Sequence, residues 1–82
     1  MEASVEISLY PLNEEYKTII LGFLHNISKH TDLIIETNYM STQIFGNYDR
    51  IFEVIRDEMK MVYQEHRAVL VMKIVGVNLK KE

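Results

Sequence analysis

The chain has 82 residues, no cysteine, and a formal net charge of −3 from 9 basic and 12 acidic residues. This length suits one domain, and the lack of cysteine excludes disulfides, thiolate metal sites and a cysteine nucleophile. The sequence has no positive stripe for nucleic acid and no membrane-length apolar run, and its first residues lack the basic and apolar regions typical of a signal peptide. We therefore expect a cytoplasmic protein with neither a nucleic-acid partner nor a membrane partner.

The first predicted element is a strand, Val5–Tyr10, followed directly by Pro11. Apolar and polar side chains alternate along it, with Val5, Ile7 and Leu9 in one set and Glu6, Ser8 and Tyr10 in the other. Because successive side chains of a strand point to opposite faces, one set predicts a core face. The other set forms a strip of carboxylate, hydroxyl and phenol groups.

A helix over residues 14–29 follows, which we expect Asn13 to cap. Its apolar residues recur at helical spacing, namely Tyr16, Ile19, Ile20, Phe23, Leu24 and Ile27. Next come a strand, Leu33–Thr37, a turn at Asn38 and Tyr39, and a third strand, Met40–Phe45. The two strands predict an antiparallel hairpin.

Asp49 is the predicted cap of a second helix, whose apolar stripe is Ile51, Phe52, Ile55, Met59 and Val62. The last strand is Ala68–Val75, and residues 1–76 form the domain. Residues 77–82 are expected to be a short, frayed C-terminal tail. The order β-α-β-β-α-β predicts an α+β, ferredoxin-like fold, in which two helices cover one face of a four-stranded antiparallel sheet.

This fold leaves one face of the sheet open, and the last strand is apolar on both of its faces. Such a patch is larger than soluble monomers usually expose. We expect self-association to a dimer or tetramer through the sheet. A monomer with an apolar exposed sheet is the alternative.

Catalytic patterns are missing from the sequence. The three histidines have no metal-ligand spacing, no glycine-rich phosphate loop occurs, and no serine has a neighbouring base. We therefore expect no enzyme activity, no metal site and no cofactor.

Small polar residues instead gather on or beside the two central strands: Glu6, Ser8, Tyr10, Asn38, Ser41, Thr42 and Gln43. Because buried polar atoms need partners, this group favours a polar pocket for a small heteroaromatic ligand. We expect its aromatic walls to be Tyr10, Phe45, Tyr48 and Phe52. Solvated strand faces are the alternative.

Two segments, Glu6–Leu12 and Met40–Gly46 followed by the helix led by Asp49, resemble the YkoF-like family of thiamine- and hydroxymethylpyrimidine-binding proteins. The resemblance implies a ferredoxin-like domain that binds thiamine or its hydroxymethylpyrimidine half without catalysis, in thiamine uptake or salvage. Ser8 and Tyr10 fall in the first family motif, and Ser41 and Thr42 in the second.

The chemistry of an aminopyrimidine fits this set of residues. Glu6 or the side-chain oxygen of Asn38 can accept from its amine, and the hydroxyls of Ser8, Ser41 and Thr42 can reach its ring nitrogens. The expected ligand-binding residues are therefore Glu6, Ser8, Tyr10, Asn38, Ser41 and Thr42. A structural or regulatory homo-oligomer, whose polar strip joins subunits and binds no ligand, is the second hypothesis.

Overall fold

Two α-helices cover one face of a four-stranded antiparallel sheet in the computed structural model, which describes all residues from Met1 to Glu82. The elements are β1 (Glu2–Pro11), α1 (Tyr16–Ile27), β2 (Ile34–Thr37), β3 (Thr42–Asn47), α2 (Tyr48–Glu65) and β4 (Ala68–Val75). The strand order across the sheet is β2-β3-β1-β4. The predicted ferredoxin-like fold is confirmed. Neither helix combines the length and the apolar character needed to cross a membrane.

The helix starts differ from the prediction. Asn13 does not cap α1, because its Oδ1 accepts the N–H of Glu15 at 2.7 Å in the turn before the helix. Asn47, not Asp49, caps α2, and its side chain accepts the N–H of Arg50 at 2.9 Å. Both asparagines use a short side-chain oxygen on a nearby backbone donor, so sequence alone does not say which donor is in reach.

The core lies between the helices and the inner face of β1, as the alternation predicts. Val5 and Ile7 are each 2% exposed, and Leu9 is 9% exposed. They belong to a cluster with Ala3 of β1 and with residues from both helices and β3, including Phe23, Ile27, Ile44, Ile51, Val54, Ile55 and Met59. Burying side chains of this size stabilises the fold by about 1.5–3 kcal/mol each.

The C-terminal tail, residues 77–82, does not fray, contrary to expectation. It lies on the open face of the sheet, where the hydroxyl of Ser4 donates to the carbonyl of Val77 at 2.7 Å and accepts the N–H of Leu79 at 2.8 Å. Further polar contacts join the tail to the strands: Asn78 with Glu2, Lys81 with Glu2, and Lys80 with Glu36. Ser4 is only 6% exposed as a result.

We predict that Ser4→Ala lowers the free energy of unfolding by about 1–2 kcal/mol, because the Val77 carbonyl and the Leu79 N–H lose their partner. Urea denaturation measures the change. Ser28→Ala, which removes an exposed hydroxyl bonded to the carbonyl of His25, is the control and should change stability by less than about 0.5 kcal/mol. Equal stability of the two variants would contradict the docking of the tail.

Candidate functional site

Strand β1 pairs over different lengths with its two neighbours, and this difference opens a cleft. The last β1–β3 pair is Ile7 with Thr42, whereas β1–β4 pairing continues to Pro11 with Ala68. The end of β1 therefore has a neighbouring strand on one side only.

A cleft of about 330 Å³ lies there, between the end of β1, helix α1 and the turn that joins β2 to β3. Small-molecule sites in proteins usually measure roughly 300–1,000 Å³, so this cleft suits a small ligand. Its apolar and aromatic lining is Ile7, Leu9, Tyr10, Tyr16, Ile20, Phe23, Leu24, Tyr39 and Met40. Its polar lining is Ser8, Thr37, Asn38, Ser41 and Thr42.

Five of the six predicted ligand-binding residues line this cleft: Ser8, Tyr10, Asn38, Ser41 and Thr42. Glu6 does not line it. Its side chain lies on the open face, where its carboxylate accepts the hydroxyl of Ser41 at 2.9 Å and lies 3.6 Å from the ammonium of Lys73. Glu6 thus contacts the cleft only through Ser41.

Asn38 shapes the turn rather than offering a free oxygen. Its Oδ1 accepts the N–H groups of Met40, at 2.8 Å, and Ser41, at 3.0 Å. Its own N–H donates to the carbonyl of Ser41 at 3.0 Å. An amide oxygen has two lone pairs, and both are used here, so this oxygen could accept a ligand amine only by giving up one of the two turn contacts.

Thr42 is 4% exposed and points to the helix side of the sheet, opposite to Glu6. Its hydroxyl lies 3.0 Å from that of Thr37 on the neighbouring strand, and either one can donate. Close side-chain pairs of this kind stabilise antiparallel strands. Thr42 therefore contributes mainly to the wall of the cleft, with its hydroxyl already partnered.

The uncommitted hydroxyls of the cleft are those of Ser8 and of three tyrosines, Tyr10, Tyr16 and Tyr39. None of the four forms a hydrogen bond with another protein group, whereas Asn38, Ser41 and Thr42 do. Tyr10 is 55% exposed, so its ring and its hydroxyl are both accessible. A ligand can engage these four hydroxyls without displacing an internal hydrogen bond.

The predicted aromatic wall does not assemble. Phe45 is 7% exposed and belongs to a different cleft on the open face. Tyr48 and Phe52 pack edge to face at the start of α2, with ring centroids 5.0 Å apart. Of the four predicted rings, only Tyr10 lines the cleft beside β1.

Helix α1 and the turn supply the other rings. Tyr16 and Phe23 come from α1, and Tyr39 comes from the tip of the turn. Sequence analysis assigned Tyr16 to the core stripe, although it is 46% exposed. Tyr16 is the first residue of α1 and precedes the core residues of that helix by about one turn. This position was the signal in the sequence that could have placed its ring at the edge of the core.

A second cleft, of about 380 Å³, lies on the open face beneath the tail. Its charged side chains already form ion pairs, Glu6 with Lys73 and Glu36 with Lys80. No three His, Asp or Glu side chains of the protein lie close enough together to hold a metal ion. The cleft beside β1 is therefore the stronger candidate, because its free groups have no internal partners.

The sequence from residue 2 to residue 79 matches the model of the YkoF-related family. The chain belongs to this family. The resemblance seen in the two segments is thereby confirmed. No curated protein sequence matches the chain.

Solved structures share the fold over almost the whole chain. A protein from Thermotoga maritima, provisionally assigned to thiamine biosynthesis or salvage, has a TM-score of 0.86 at 19% identity, over 99% of this chain and 94% of that one. A Streptococcus pneumoniae protein has a TM-score of 0.86 at 16% identity, over 98% and 91%. A Methanocaldococcus jannascii protein has a TM-score of 0.80 at 25% identity, over 95% and 82%.

The hydrogen bond from Ser41 lowers the pKa of Glu6, and the nearby ammonium of Lys73 lowers it further. A carboxyl whose pKa is lowered by folding adds stability above its unfolded pKa, and that stability is lost as the pH falls through the folded pKa. The Ser41–Glu6 contact is thus weakened in acid.

We predict that Ser41→Ala raises the pKa of Glu6 towards its ordinary value of 4.5. The free energy of unfolding of the variant should also fall less than that of the wild type between neutral and acidic pH, since the ionised Glu6 carboxyl then contributes less to stability. Carbon-13 NMR titration of the Glu6 carboxyl measures the pKa. Ser8→Ala is the control, because Ser8 has no bond to Glu6. If the pKa of Glu6 is unchanged in Ser41→Ala, the hydrogen bond from Ser41 is not the cause of its lowered pKa.

Proposed function

We propose that this protein binds thiamine or its hydroxymethylpyrimidine half in the cleft beside β1, without catalysis, and serves thiamine uptake or salvage. The observation that carries this proposal is the cleft itself, a space of small-molecule size whose lining residues include four unpartnered hydroxyls and several aromatic rings. Membership of the YkoF-related family and the fold shared with the Thermotoga maritima protein support it.

The lining suits an aminopyrimidine joined to a cationic ring. The hydroxyls of Ser8 and Tyr10 can each donate or accept, which matches the ring nitrogens and amine of the pyrimidine. Aromatic side chains such as Tyr16 and Tyr39 offer faces for stacking. The thiazolium cation of thiamine gains about 0.5–2 kcal/mol over a tyrosine face.

Binding without chemistry is favoured by the same lining. No carboxylate, histidine or lysine lines the cleft. Acid–base catalysis needs a group within hydrogen-bond reach of the substrate whose pKa lies near neutrality. The hydroxyl and amide groups that line the cleft can hold a ligand in place through hydrogen bonds.

Titration calorimetry and thermal unfolding with thiamine, hydroxymethylpyrimidine and the separate thiazole half test the proposal. At about 100 times the dissociation constant, a bound ligand should raise the free energy of unfolding by about 2.7 kcal/mol. We expect thiamine and the pyrimidine to bind, and the thiazole alone to bind more weakly. If none of the three binds at millimolar concentration, the proposal is wrong.

Substitution of two tyrosines of similar exposure tests where the ligand binds. Tyr10 is 55% exposed and Tyr63, on α2 away from the cleft, is 52% exposed. We predict that Tyr10→Leu weakens thiamine binding about tenfold, because a ring face and a hydroxyl are lost. Tyr63→Leu should leave the affinity unchanged. Equal affinities of the two variants would place the ligand elsewhere.

A second proposal concerns self-association, and strand β4 at the edge of the sheet carries it. Its outer edge has no neighbouring strand. Val69 and Val71 on the open face, and Ile74 on the helix side, are each 48–50% exposed. A long, apolar edge strand is a template for another strand, and soluble proteins normally cover or charge it.

We propose that a second copy of this chain covers β4, strand to strand, about a two-fold axis. An axis through Met72 places Lys73 of each copy opposite Val71 of the other, so that no like charges meet. The C-terminal tail already occupies the open face near Ser4. The tail thus does not cover the free edge of β4, which stays accessible to a partner.

Light scattering at micromolar concentration should give about twice the chain mass of 9.7 kDa. We predict that Val71→Lys shifts the protein to the monomer, because each copy then brings a second lysine to the joint. Leu21→Lys, on the exposed side of α1 and 66% exposed, is the control and should keep the dimer. A monomeric wild type would refute pairing through β4.

A further inference from the structure

We propose that the main-chain N–H and C=O of Leu9 hold the aminopyrimidine, which takes the place of the strand partner that β1 lacks at this position. The inference rests on the function proposed above and names the groups that recognise the ligand. Main-chain groups of the central strand β1, and not only side chains, then recognise the ligand.

The direction of the Leu9 backbone groups follows from two hydrogen bonds at the ends of β1. The N–H of Leu12 donates to the carbonyl of Arg67 at 2.9 Å, on the β4 side. The carbonyl of Met1 accepts the N–H of Tyr48 at 2.9 Å, on the β3 side. Backbone groups alternate in direction along an antiparallel strand, so the N–H and C=O groups of the odd-numbered β1 residues point towards β3. The N–H and C=O of Leu9 therefore point to the β3 side and not to the β4 side.

No strand stands opposite Leu9 on that side. The β1–β3 register ends at Ile7 with Thr42. The next residue in register would be Met40, but its N–H is donated to the side chain of Asn38 at 2.8 Å. The protein offers no other partner to the Leu9 N–H or C=O.

Unpaired backbone groups inside a sheet are costly, since nearly all buried N–H and C=O groups of proteins find partners. Leu9 is 9% exposed and lines the cleft. The Leu9 N–H, a donor, and the Leu9 C=O, an acceptor, are thus both available to a ligand in this cleft.

The edge of a 4-aminopyrimidine complements this pair. Its ring nitrogen N3 accepts the Leu9 N–H, and its exocyclic amine donates to the Leu9 C=O. The two bonds copy those that one residue exchanges with its partner in an antiparallel sheet. An analogue without the amine leaves the carbonyl unpaired, and a site of this kind discriminates against it strongly.

Asn38 is the positioning residue in this scheme. By holding the N–H groups of Met40 and Ser41, it keeps the start of β3 away from Leu9. The sequence position of Asn38 thus sets where β3 begins and leaves the Leu9 groups open to the ligand.

Amide hydrogen exchange by NMR tests the inference on the nitrogen-15-labelled protein. Ile7 is the matched control, because it lies in the same strand, faces the same side and is paired. In the free protein the Leu9 amide should exchange about 100-fold faster than that of Ile7. Saturation with hydroxymethylpyrimidine should slow Leu9 about tenfold or more, and replacing the pyrimidine amine by methyl should weaken binding about tenfold or more.

The outcomes separate this inference from the function on which it rests. If the pyrimidine binds but Leu9 exchange is unchanged, or if the methyl analogue binds equally well, the Leu9 assignment is wrong and the proposed function stands. Protection of Leu9 equal to that of Ile7 in the free protein also overturns the assignment. If no pyrimidine binds, the proposed function itself fails.

Substitutions at Asn38 give an independent readout. Asn38→Ala frees the Met40 N–H to pair with Leu9, so Leu9 should exchange more slowly without ligand and pyrimidine affinity should fall about tenfold. Asn38→Asp keeps an oxygen for both N–H groups and should preserve fast Leu9 exchange and binding. An unaltered Leu9 exchange rate in Asn38→Ala would refute the positioning role.

Discussion

The unequal pairing of β1 with its two neighbours is the constraint on which the rest of the structure depends. Pairing with β4 continues for four residues after pairing with β3 has ended. Because a β-strand offers hydrogen-bonding groups on both edges, the shorter neighbour leaves Leu9 open on one side. Asn38 accepts the N–H groups of Met40 and Ser41 just before β3, and under our proposal these contacts maintain the difference. The cleft, its free hydroxyls and its backbone edge all result from where β3 begins.

The cleft, the free edge of β4 and the open face that the tail covers lie on three different parts of the sheet. The cleft lies on the β3 side of β1, and the free edge of β4 lies on the other side. The C-terminal tail occupies the open face between them, where the buried hydroxyl of Ser4 holds it. The proposed ligand and the proposed second copy of the chain therefore approach different parts of the sheet. Under our proposals, ligand binding and pairing through β4 do not compete.

The fold was predictable because it depends on periodicity, and much of the site was predictable because its residues cluster on two strands. Val5, Ile7 and Leu9 have the core positions that strict alternation requires. Ser8, Tyr10 and Ser41 lie together because central strands bring their ends together. The aromatic wall was not predictable: Phe45 pairs with Ser4, near the other end of β1, and Tyr16 belongs to a helix whose distance from the strand depends on packing.

The sequence by itself determined the order of the elements, the core face of β1 and membership of the YkoF-related family. Periodicity and local motifs act within a few residues, so they are visible in the chain. Only the tertiary structure decided that the tail docks on Ser4, that the oxygen of Asn38 is occupied, and that Leu9 has no partner strand on its β3 side. These features depend on contacts between residues far apart in sequence, or on where one strand ends beside another, and no local pattern encodes them.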